Sequence, residues 1–393
     1  MGADSRIAVA GVGYSTTGRR TSLTSRQLAT QAAKAAFADA GMGPKDVDGV
    51  SILWNVAGAE PPGVERLDSQ DLGYMLGIRP LNYYYTGSML TPSFVTSAVH
   101  AVAAITAGLC HTCIAFRVIN QSLNTTEVMK SGGSGAVFPA EGDEQFCAPF
   151  GGGLPVGRIA GLSMQRHMGL YGTTEEHFAA HAVTQRYHAS LNEEAFFRTP
   201  LTVEDYLQSR YVSKPARLLD CDYPVDSASA VIFTTAERAR DWRKKPVFVE
   251  AQAYSSTRYL SFELQDQEDG SHDHCAATLW SRTDLKPKDV DCAQLYDGFS
   301  IITFKWLEAL GFCGKGESGP FIAEGHTRLG GSLPTNTDGG ACNAGRRHGA
   351  NYCIESVRQL RGECGERQVP DAKVAVWTNA VSTMTGAMLM TAD

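Results

Sequence analysis

The chain of 393 residues has no long apolar run and no excess of basic residues. A membrane-spanning helix needs roughly 18 or more apolar residues in a row, and no such stretch occurs, so we expect no membrane span. Acidic residues (42) outnumber Lys and Arg (35), and this formal net charge of −7 argues against a nucleic-acid groove. The opening MGADSRIAVAGVGYS carries a charge inside its apolar stretch and continues as a strand pattern, so we expect no signal peptide.

A disulfide framework is also missing. The ten cysteines are mostly scattered singly, which predicts reduced thiols in a cytoplasmic protein. CHTC at 110–113 and HDHC at 272–275 group possible zinc ligands. Zinc needs four converging ligands, however, and half of the first pair falls on a predicted buried strand. We therefore favour buried thiols at these positions and predict no metal site.

The chain does contain an alternation of helix and strand patterns. Thr24 and Gln27 have the spacing of a capping box before a helix at Arg26–Ala40, and Gly41 suits the end of that helix. A run of Ala, Val, Ile and Thr at about 97–107 predicts a helix buried on all sides. Strand patterns flank these helices at Ile7–Val12, Val47–Trp54 and Thr112–Ile119. This order predicts an α/β fold in which both faces of the sheet are covered.

The segment from 121 to about 216 departs from the alternation. Gly and Pro cluster in its first part, and helix-like stretches follow near 160–190 and 202–210, so we interpret 121–216 as an inserted loop domain. The last third of the chain then repeats the order of the first. A helix end followed by a buried strand occurs in AGLCHTCIAFRVI and again in RGECGERQVPDAKVAVWTN, which suggests a duplicated fold.

Two motifs carry residues that are able to do chemistry. YDGFS at 296–300 ends one apolar strand and opens an apolar helix, so Tyr296 and Asp297 are either catalytic or a structural tyrosine with a helix-capping aspartate. LPTNTDGGACNAGRRHG at 333–349 combines four glycines with amide, carboxyl, guanidinium and imidazole groups. A loop of this composition favours a ligand site over a plain solvated connector.

These motifs, together with GFCGKGES and ESVRQLRGE, resemble the thiolase superfamily, in particular its lipid-transfer-protein-type branch, which includes steroid acyl-CoA side-chain aldolases. The central segments YGTTEEHFAAHAVTQRYHASLN and LTVEDYLQSRYVSKPARLLDCDYPVD are similar to the same branch. The resemblance implies two similar βαβαβαββ halves in a five-layered αβαβα core. It places the first half at 1–120 plus 217–256, the loop domain at 121–216 over the active site, and the second half at 257–393.

The resemblance also shows which thiolase groups are absent. The position of the nucleophilic cysteine falls on Thr91, and that of the second cysteine falls on Asn379. Arg346 stands at the family histidine, and Tyr296 stands at the oxyanion-hole Asn or His. No cysteine lies between Trp54 and Cys110, so acyl-enzyme catalysis through a cysteine is disfavoured.

The aldolase branch implies a reaction without a nucleophile. A base takes the hydroxyl proton of a β-hydroxyacyl-CoA thioester, the Cα–Cβ bond breaks, and a ketone or aldehyde leaves a short acyl-CoA enolate. We predict Tyr296 as the base or proton shuttle, with a pKa lowered by the fixed charge of Arg346, and His348 as a second candidate base. Asp297 completes the predicted catalytic set.

Contacts to the thioester are predicted from the same comparison. Gly339 and Gly340 would let the backbone approach it, and Asn379 and Thr91 would lie against it. CoA enters as part of the substrate, and we expect no other cofactor. One departure from the steroid aldolases is that Arg346 replaces a second tyrosine, and the sequence leaves open whether Tyr352 takes over its role.

Two other functions remain open at this point. The first is a non-catalytic acyl-CoA- or lipid-binding homologue, or a scaffold for a partner hydratase. The second is a degradative thiolase that uses Cys342 or Cys313. The resemblance further implies a homodimer and a small OB-fold/zinc-ribbon partner protein. The arginines that would meet the CoA phosphates are undecided among Arg158, Arg166, Arg186 and Arg210.

Overall fold

A computed structural model of the chain describes residues 6–54, 67–87, 93–120, 156–256, 270–381 and 384–393. The strands are β1 (Ile7–Tyr14), β2 (Gly49–Trp54), β3 (Tyr83–Gly87), β4 (Thr112–Asn120), β5 (Tyr211–Ser213), β6 (Ala216–Arg217), β7 (Asp226–Thr235), β8 (Val247–Ser256), β9 (Cys292–Gln294), β10 (Val374–Val381) and β11 (Met384–Thr391). The helices are α1 (Ser25–Ala40), α2 (Ser69–Leu76), α3 (Phe94–Thr106), α4 (Val156–Tyr171), α5 (Glu175–Ser190), α6 (Val203–Gln208), α7 (Ala236–Ala239), α8 (Ser271–Trp280), α9 (Ser300–Ala309), α10 (Ser318–Ala323), α11 (Gly340–Ala344) and α12 (Ala350–Arg361).

Nine strands form one sheet in the order β3-β2-β4-β7-β1-β8-β11-β10-β9. The same arrangement is found on both sides of the central antiparallel pair β1–β8. The first neighbours, β7 and β11, are antiparallel to β1 and β8, and the next, β4 and β10, are again antiparallel. The following strands, β2 and β9, run parallel to β4 and β10. The predicted duplication of the fold is therefore confirmed.

A repeated pentapeptide marks the duplication in the sequence. PKDVD occurs at 44–48 and at 287–291, and each copy forms a short 3₁₀ turn before β2 or β9. Asp48 accepts the backbone N–H of Thr112 at 2.9 Å where β4 begins. Asp291 accepts the N–H of Val374 at 2.9 Å where β10 begins. Both copies are visible in the sequence, although the duplication was predicted without them.

Helices cover both faces of the two half-sheets. Helix α1 packs on β1 and β7 at the outside of the first half, and α8 packs on β8 and β11 at the outside of the second. Helices α3 and α12 each contact strands of both halves, so they lie between them. The result is the predicted five-layered αβαβα core. The close approach of α1 depends on Gly11, where a side chain would collide with the Ala36 backbone.

Helices α4–α6 and the hairpin β5–β6 lie in the chain between β4 and β7. Helix α5 packs against α10 and α11, which brings this segment onto the second half. The proposed domain boundaries stay a prediction.

Cys110 and Cys113 are buried against Gly49, as expected for core thiols. No helix within the described ranges is long and apolar enough to cross a membrane.

Candidate active site

The two motifs singled out in the sequence meet at the end of β9. Thr335 forms a parallel bridge to Ala293 of β9, and this single bridge occupies the place that β3 has beside β2 in the first half. The Asn336 side chain fixes the contact, since its Oδ1 accepts from Leu295 N at 2.6 Å and its Nδ2 donates to Leu295 O at 2.8 Å. The loop at 333–349 is thereby held over the turn that contains Tyr296.

Tyr296 is buried between β10 and α12. Its backbone N–H donates to Oγ1 of Thr378 on β10 at 3.1 Å, and its ring packs edge-on against Tyr352, with ring centroids 5.9 Å apart. The phenol folds back over Gly298, where a Cβ would lie only 2.7 Å from the phenol oxygen. Glycine at 298 therefore provides the space for the hydroxyl group.

The protonation state of Tyr296 differs from the prediction. Burial raises the pKa of Tyr296 well above that of a free phenol, and the negative charge of Asp222 raises it further. Arg346 and Arg117 do lower this pKa, but they do not outweigh the burial. The predicted lowering by Arg346 is therefore wrong as a net effect, because the sequence does not reveal how completely the phenol is desolvated. Tyr296 is a neutral phenol at neutral pH.

Asp297 is held from three sides. Its Oδ1 accepts from Ala341 N at 2.7 Å and also from the hydroxyl of Tyr352, and its Oδ2 accepts from Cys342 N at 3.5 Å. Burial raises the pKa of Asp297 to about 7, although the hydrogen bonds from Tyr352 and Ala341 oppose this. Asp297 thus joins the start of α11 to the turn at 296–298.

Tyr352 lies behind Tyr296 on α12. Its hydroxyl donates to Asp297 and accepts the backbone N–H of Asp297 at 3.3 Å and of Ala341 at 3.2 Å. Burial raises the pKa of Tyr352 well above its usual range, and the charge of Asp297 adds to this effect. A hydroxyl with three partners supports the turn at 296–298, so Tyr352 does not supply a second free phenol.

Arg346 faces a carboxylate that was not among the predicted site residues. Its Nη1 lies 3.2 Å from Oδ1 of Asp222, and its backbone N–H donates to Tyr223 O at 2.8 Å. The Asp222 side chain is 8% exposed, and burial raises its pKa to about 6 against the opposing effect of Arg346. The signal in the sequence is weak, since Asp222 is one of three aspartates in LLDCDYPVD.

His348 is bound by a buried arginine on the other half of the fold. Nη2 of Arg117, on β4, donates to Nδ1 of His348 in a short hydrogen bond. A guanidinium has no acceptor, so Nδ1 of His348 is unprotonated and the neutral ring carries its proton on Nε2. Burial lowers the pKa of His348 well below its usual value, and Arg117 and Arg346 lower it further. His348 is therefore a hydrogen-bond donor through Nε2.

The backbone of His348 links this loop to α3. Its φ of 47° is left-handed, and its carbonyl accepts the N–H of Phe94 at 3.1 Å, at the start of that helix. Thr91 lies outside the described residues, so its predicted contact with the thioester stays a prediction. His348 is nevertheless tied to the beginning of the same buried helix.

Arg117 is enclosed by protein. Its Nη1 donates to the carbonyls of Leu53 and Val118, each at 3.0 Å. Burial lowers the pKa of Arg117 to about 9. Sequence reasoning missed this residue too, although a charge in the middle of the apolar strand TCIAFRVIN was a usable signal.

Asn379 presents an amide without partners. Neither its Oδ1 nor its Nδ2 has a hydrogen bond within the described part of the chain, although the side chain is fully buried. It lies beneath Gly349, whose φ is 91° and where a Cβ would collide with the Asn379 amide. Buried amides are normally hydrogen-bonded, so this amide has unused donor and acceptor capacity, and its contact with the thioester stays a prediction.

The two glycines at the start of α11 have a packing role. A Cβ on Gly339 would meet Ala189 of α5, and one on Gly340 would collide with Oδ2 of Asp297. Their φ values of 101° and 68° also exclude most other residues. Protein atoms therefore account for both glycines, and their contact with a thioester stays a prediction.

Neither candidate thiol is poised as a nucleophile. Burial raises the pKa of Cys342 well above its usual value, the charge of Asp297 adds to this, and its Sγ donates to Asp297 O at 3.2 Å. Burial also raises the pKa of Cys313 to about 12. Since the thiolate is the reactive form, both positions argue against a cysteine-dependent thiolase.

Comparisons with known proteins agree with this architecture. Residues 256–391 match the family model for a thiolase C-terminal domain-like region. The chain is 34% identical to the 17-hydroxy-3-oxo-4-pregnene-20-carboxyl-CoA lyase of Mycobacterium tuberculosis, over 91% of this chain and 92% of that protein. It is 30% identical to the steroid side-chain-cleaving aldolase of Thermomonospora curvata, over 98% of each.

A solved structure extends the similarity to three dimensions. The chain superposes on the Ltp2-ChsH2(DUF35) aldolase with a TM-score of 0.87 and 29% identity, covering 99% of this chain and 98% of that one. The sequence matches cover nearly the whole chain, and the structural match includes both halves of the fold. The chain therefore belongs to the lipid-transfer-protein-type branch of the thiolase superfamily, which includes the steroid side-chain-cleaving aldolases.

Proposed function

We propose that this chain is a carbon–carbon lyase that cleaves a β-hydroxyacyl-CoA thioester by retro-aldol chemistry. The observation that carries the proposal is the neutral, buried phenol of Tyr296, which replaces the thiolase oxyanion residue in a site where the thiol of Cys342 is not poised as a nucleophile. The names of the full-length relatives support a steroid side chain as the acyl group. The products are then a ketone or aldehyde of the ring system and a short acyl-CoA.

The residues divide the reaction between them. Tyr296 relays the proton of the substrate β-hydroxyl: its oxygen takes up this proton as its own phenolic proton passes on to a base, so that the C–O bond becomes a carbonyl as the Cα–Cβ bond breaks. The electron pair moves onto the thioester as an enolate. The Nε2–H of His348 and the amide of Asn379 donate to the enolate oxygen. A proton returned to Cα completes the cycle, and no acyl-enzyme forms. CoA takes part only as the carrier of the substrate.

The decisive experiment is product detection. The protein, alone and with a small OB-fold/zinc-ribbon partner, is incubated with β-hydroxy steroid CoA thioesters, and the ketosteroid and short acyl-CoA are measured. Tyr296→Phe should lower turnover by at least about 10²-fold while substrate binding is kept, because only the proton-transfer group is removed. Tyr74→Phe, at an exposed tyrosine of α2, is the matched control.

Two outcomes would contradict this scheme. Full turnover by Tyr296→Phe removes the phenol from the mechanism. Thioester binding without product from any substrate, with the partner present, instead supports the non-catalytic scaffold. Survival of activity after treatment with iodoacetamide separates the lyase from a cysteine-dependent thiolase, because alkylation destroys a nucleophilic thiol.

We further propose that the chain works as a homodimer with a small OB-fold/zinc-ribbon partner. The solved structure named Ltp2-ChsH2(DUF35) aldolase supports a partner of this kind. On α4, the apolar side chains of Leu162 and Leu170 are 57% and 56% exposed, which supports a docking surface on the inserted segment.

All nine cysteines of the described ranges are free thiols, which supports the predicted cytoplasmic location.

A further inference from the structure

Asp222 is fastened directly beside the turn that carries Tyr296. Its backbone N–H donates to Gly298 O at 3.2 Å, and the preceding Cys221 forms an antiparallel bridge with Phe299. On its other side, the backbone N–H of Arg346 donates to Tyr223 O at 2.8 Å. The carboxylate therefore belongs to a segment that is held against both the 296–299 turn and the 346–348 loop.

The phenol oxygen of Tyr296 and the backbone of Asp222 meet at the same glycine. The phenol lies over Gly298, and Gly298 accepts the Asp222 N–H. Among the charged groups that act on Tyr296, Asp222 has the largest effect. Arg346 holds Oδ1 of Asp222 at 3.2 Å, while Oδ2 makes no hydrogen bond to any residue that the structure describes. One carboxylate oxygen is thus anchored by Arg346 and the other has no partner among the described residues, so proton transfer from Tyr296 requires the phenol and this oxygen to come into contact, directly or through a water.

We propose that Asp222 accepts the proton that Tyr296 gives up, so that the resting base is a carboxylate and the neutral phenol relays the proton. This inference rests on the proposed lyase function and adds a residue to it. Asp222 does not touch the substrate. It is a positioning residue that works through Tyr296, and its own position is fixed by Arg346.

The proton movements balance in this scheme. The substrate β-hydroxyl gives its proton to the Tyr296 oxygen as that oxygen gives its own proton to Asp222. The C–O bond becomes C=O, the Cα–Cβ bond breaks, and its electron pair enters the enolate. The proton then returns from Asp222 through Tyr296 to Cα of the enolate, which yields the acyl-CoA and restores the carboxylate. Neither an oxidant nor a free phenolate is required.

The relay explains why a phenol with a raised pKa is compatible with base catalysis. A tyrosine that acts as a phenolate needs a lowered pKa, which the burial of Tyr296 prevents. A relay needs only a nearby group that is ionised at neutral pH. With a pKa of about 6, Asp222 is ionised there and is still basic enough to take a proton.

The pH dependence of the reaction follows from the same carboxylate. The charged or titratable groups that interact with Asp222 are Arg346, Tyr296, Cys342 and Cys221, and of these Arg346 alone is charged at neutral pH. The active form is the carboxylate. Turnover should therefore rise with pH through about 6 and level off above it.

The kinetic test replaces this carboxylate with an amide of the same shape. In the holo-complex, Asp222→Asn should lower kcat by about 10²-fold with little change in KM, and the rise in kcat near pH 6 should disappear. Asp222→Glu should recover part of the rate and keep a pH-dependent rise. Glu194→Gln is the matched control, because Glu194 also pairs with an arginine, Arg358, at 2.7 Å.

The outcomes separate this inference from the function on which it rests. If the parent protein turns over and Tyr296→Phe does not, but Asp222→Asn keeps its rate and its pH profile, the relay is overturned and the lyase stands. If Asp222→Asn unfolds, Asp222→Glu still tests the relay, because a displaced carboxylate should lower kcat, and an unchanged kcat and pH profile would overturn the relay. If the parent protein shows no lyase activity, the proposed function fails, and a direct measurement of the interaction between Asp222 and Tyr296 decides about Asp222.

That measurement uses difluorotyrosine at position 296, titrated by ¹⁹F NMR. Asp222→Asn should lower the pKa of this fluorophenol by about one pH unit, since a nearby negative charge is removed. Glu194→Gln should leave it unchanged. An unchanged pKa in Asp222→Asn would show that the carboxylate does not act on the phenol, and the inference would be wrong whatever the activity.

Discussion

Arg117 brings a permanent charge into the interior of the molecule. The side chain is 1% exposed, and its three described acceptors are two backbone carbonyls and the ring of His348. No carboxylate pairs with it among the described residues. A buried charge without an ionic partner is costly, and the contact with His348 indicates what Arg117 does in this position. It fixes the tautomer that points Nε2–H away from β4.

We expect Arg117→Lys to lower kcat by about 10-fold to 100-fold. Lysine keeps the charge, but it lacks the planar fork that reaches both carbonyls and His348 at once, so the tautomer of His348 is no longer fixed. The measurement is steady-state kinetics together with ¹⁵N NMR of His348, in which the parent protein should show protonation at Nε2. A parent spectrum with the proton on Nδ1 would refute the assignment.

The residues of the site were partly predictable. Tyr296, Asp297, Arg346 and His348 were taken from two motifs, and the structure brings all four into one region. Their protonation states were not predictable, because desolvation depends on everything that packs around a group. Asp222 escaped notice for a related reason, since it joins the site from another part of the chain.

At the scale of single elements, the duplication is visible in two aspartates. Asp48 accepts the backbone N–H groups of His111 and Thr112, and Asp291 accepts those of Lys373 and Val374. In each half, the carboxylate that follows the 3₁₀ turn therefore satisfies the first donors of the strand that leaves a central helix. One sequence motif performs the same structural task twice.

Replacing either aspartate with alanine should destabilise the fold by similar amounts. We expect a loss of about 1–3 kcal/mol in the free energy of unfolding for each, because two backbone N–H groups at the start of the strand lose their hydrogen bonds to a charged acceptor. Urea unfolding of Asp48→Ala and Asp291→Ala measures this. A large loss in one half with none in the other would contradict the equivalence.

The Asp48 contribution should also depend on pH. Burial tends to raise the pKa of Asp48, but the hydrogen bonds from Thr112 and His111 outweigh it, and the pKa is lowered in the folded state. A lowered pKa means that the stabilisation is present above about pH 4 and is lost as the pH falls below it. Asp48→Asn should unfold with a weaker dependence on pH in that range.

The ends of a helix could be predicted where neighbouring residues determine them. The capping box of Thr24 and Gln27 and the left-handed Gly41 occur at the two ends of α1 as predicted. The second half differs from the first where local chemistry prevents a strand. Pro334 lacks an N–H, and Asn336 has a φ of 48°, so the counterpart of β3 is reduced to the bridge at Thr335. The repeated pattern alone did not predict this loss.

At the scale of the whole molecule, the nine-stranded sheet ends on one side at β3. Its strand neighbour in the described ranges is β2 alone, and Tyr84, its second residue, is 56% exposed. The other edge of β3 carries backbone donors and acceptors that no described strand covers. An exposed edge strand pairs readily with another strand, so this edge is a candidate interface for the proposed homodimer.

Dimerisation through β3 makes a testable demand on Tyr84. In a two-fold pairing of β3 with its own copy, a lysine at position 84 lies close to the same lysine of the partner, and two like charges repel each other there. Tyr84→Lys should therefore shift the protein from dimer to monomer in light scattering after size-exclusion chromatography. Tyr74→Lys, on the exposed face of α2, should remain dimeric. A parent protein that elutes as a monomer would contradict the homodimer. A Tyr84→Lys variant that stays a dimer at the lowest concentration measured would place the interface away from the edge of the sheet.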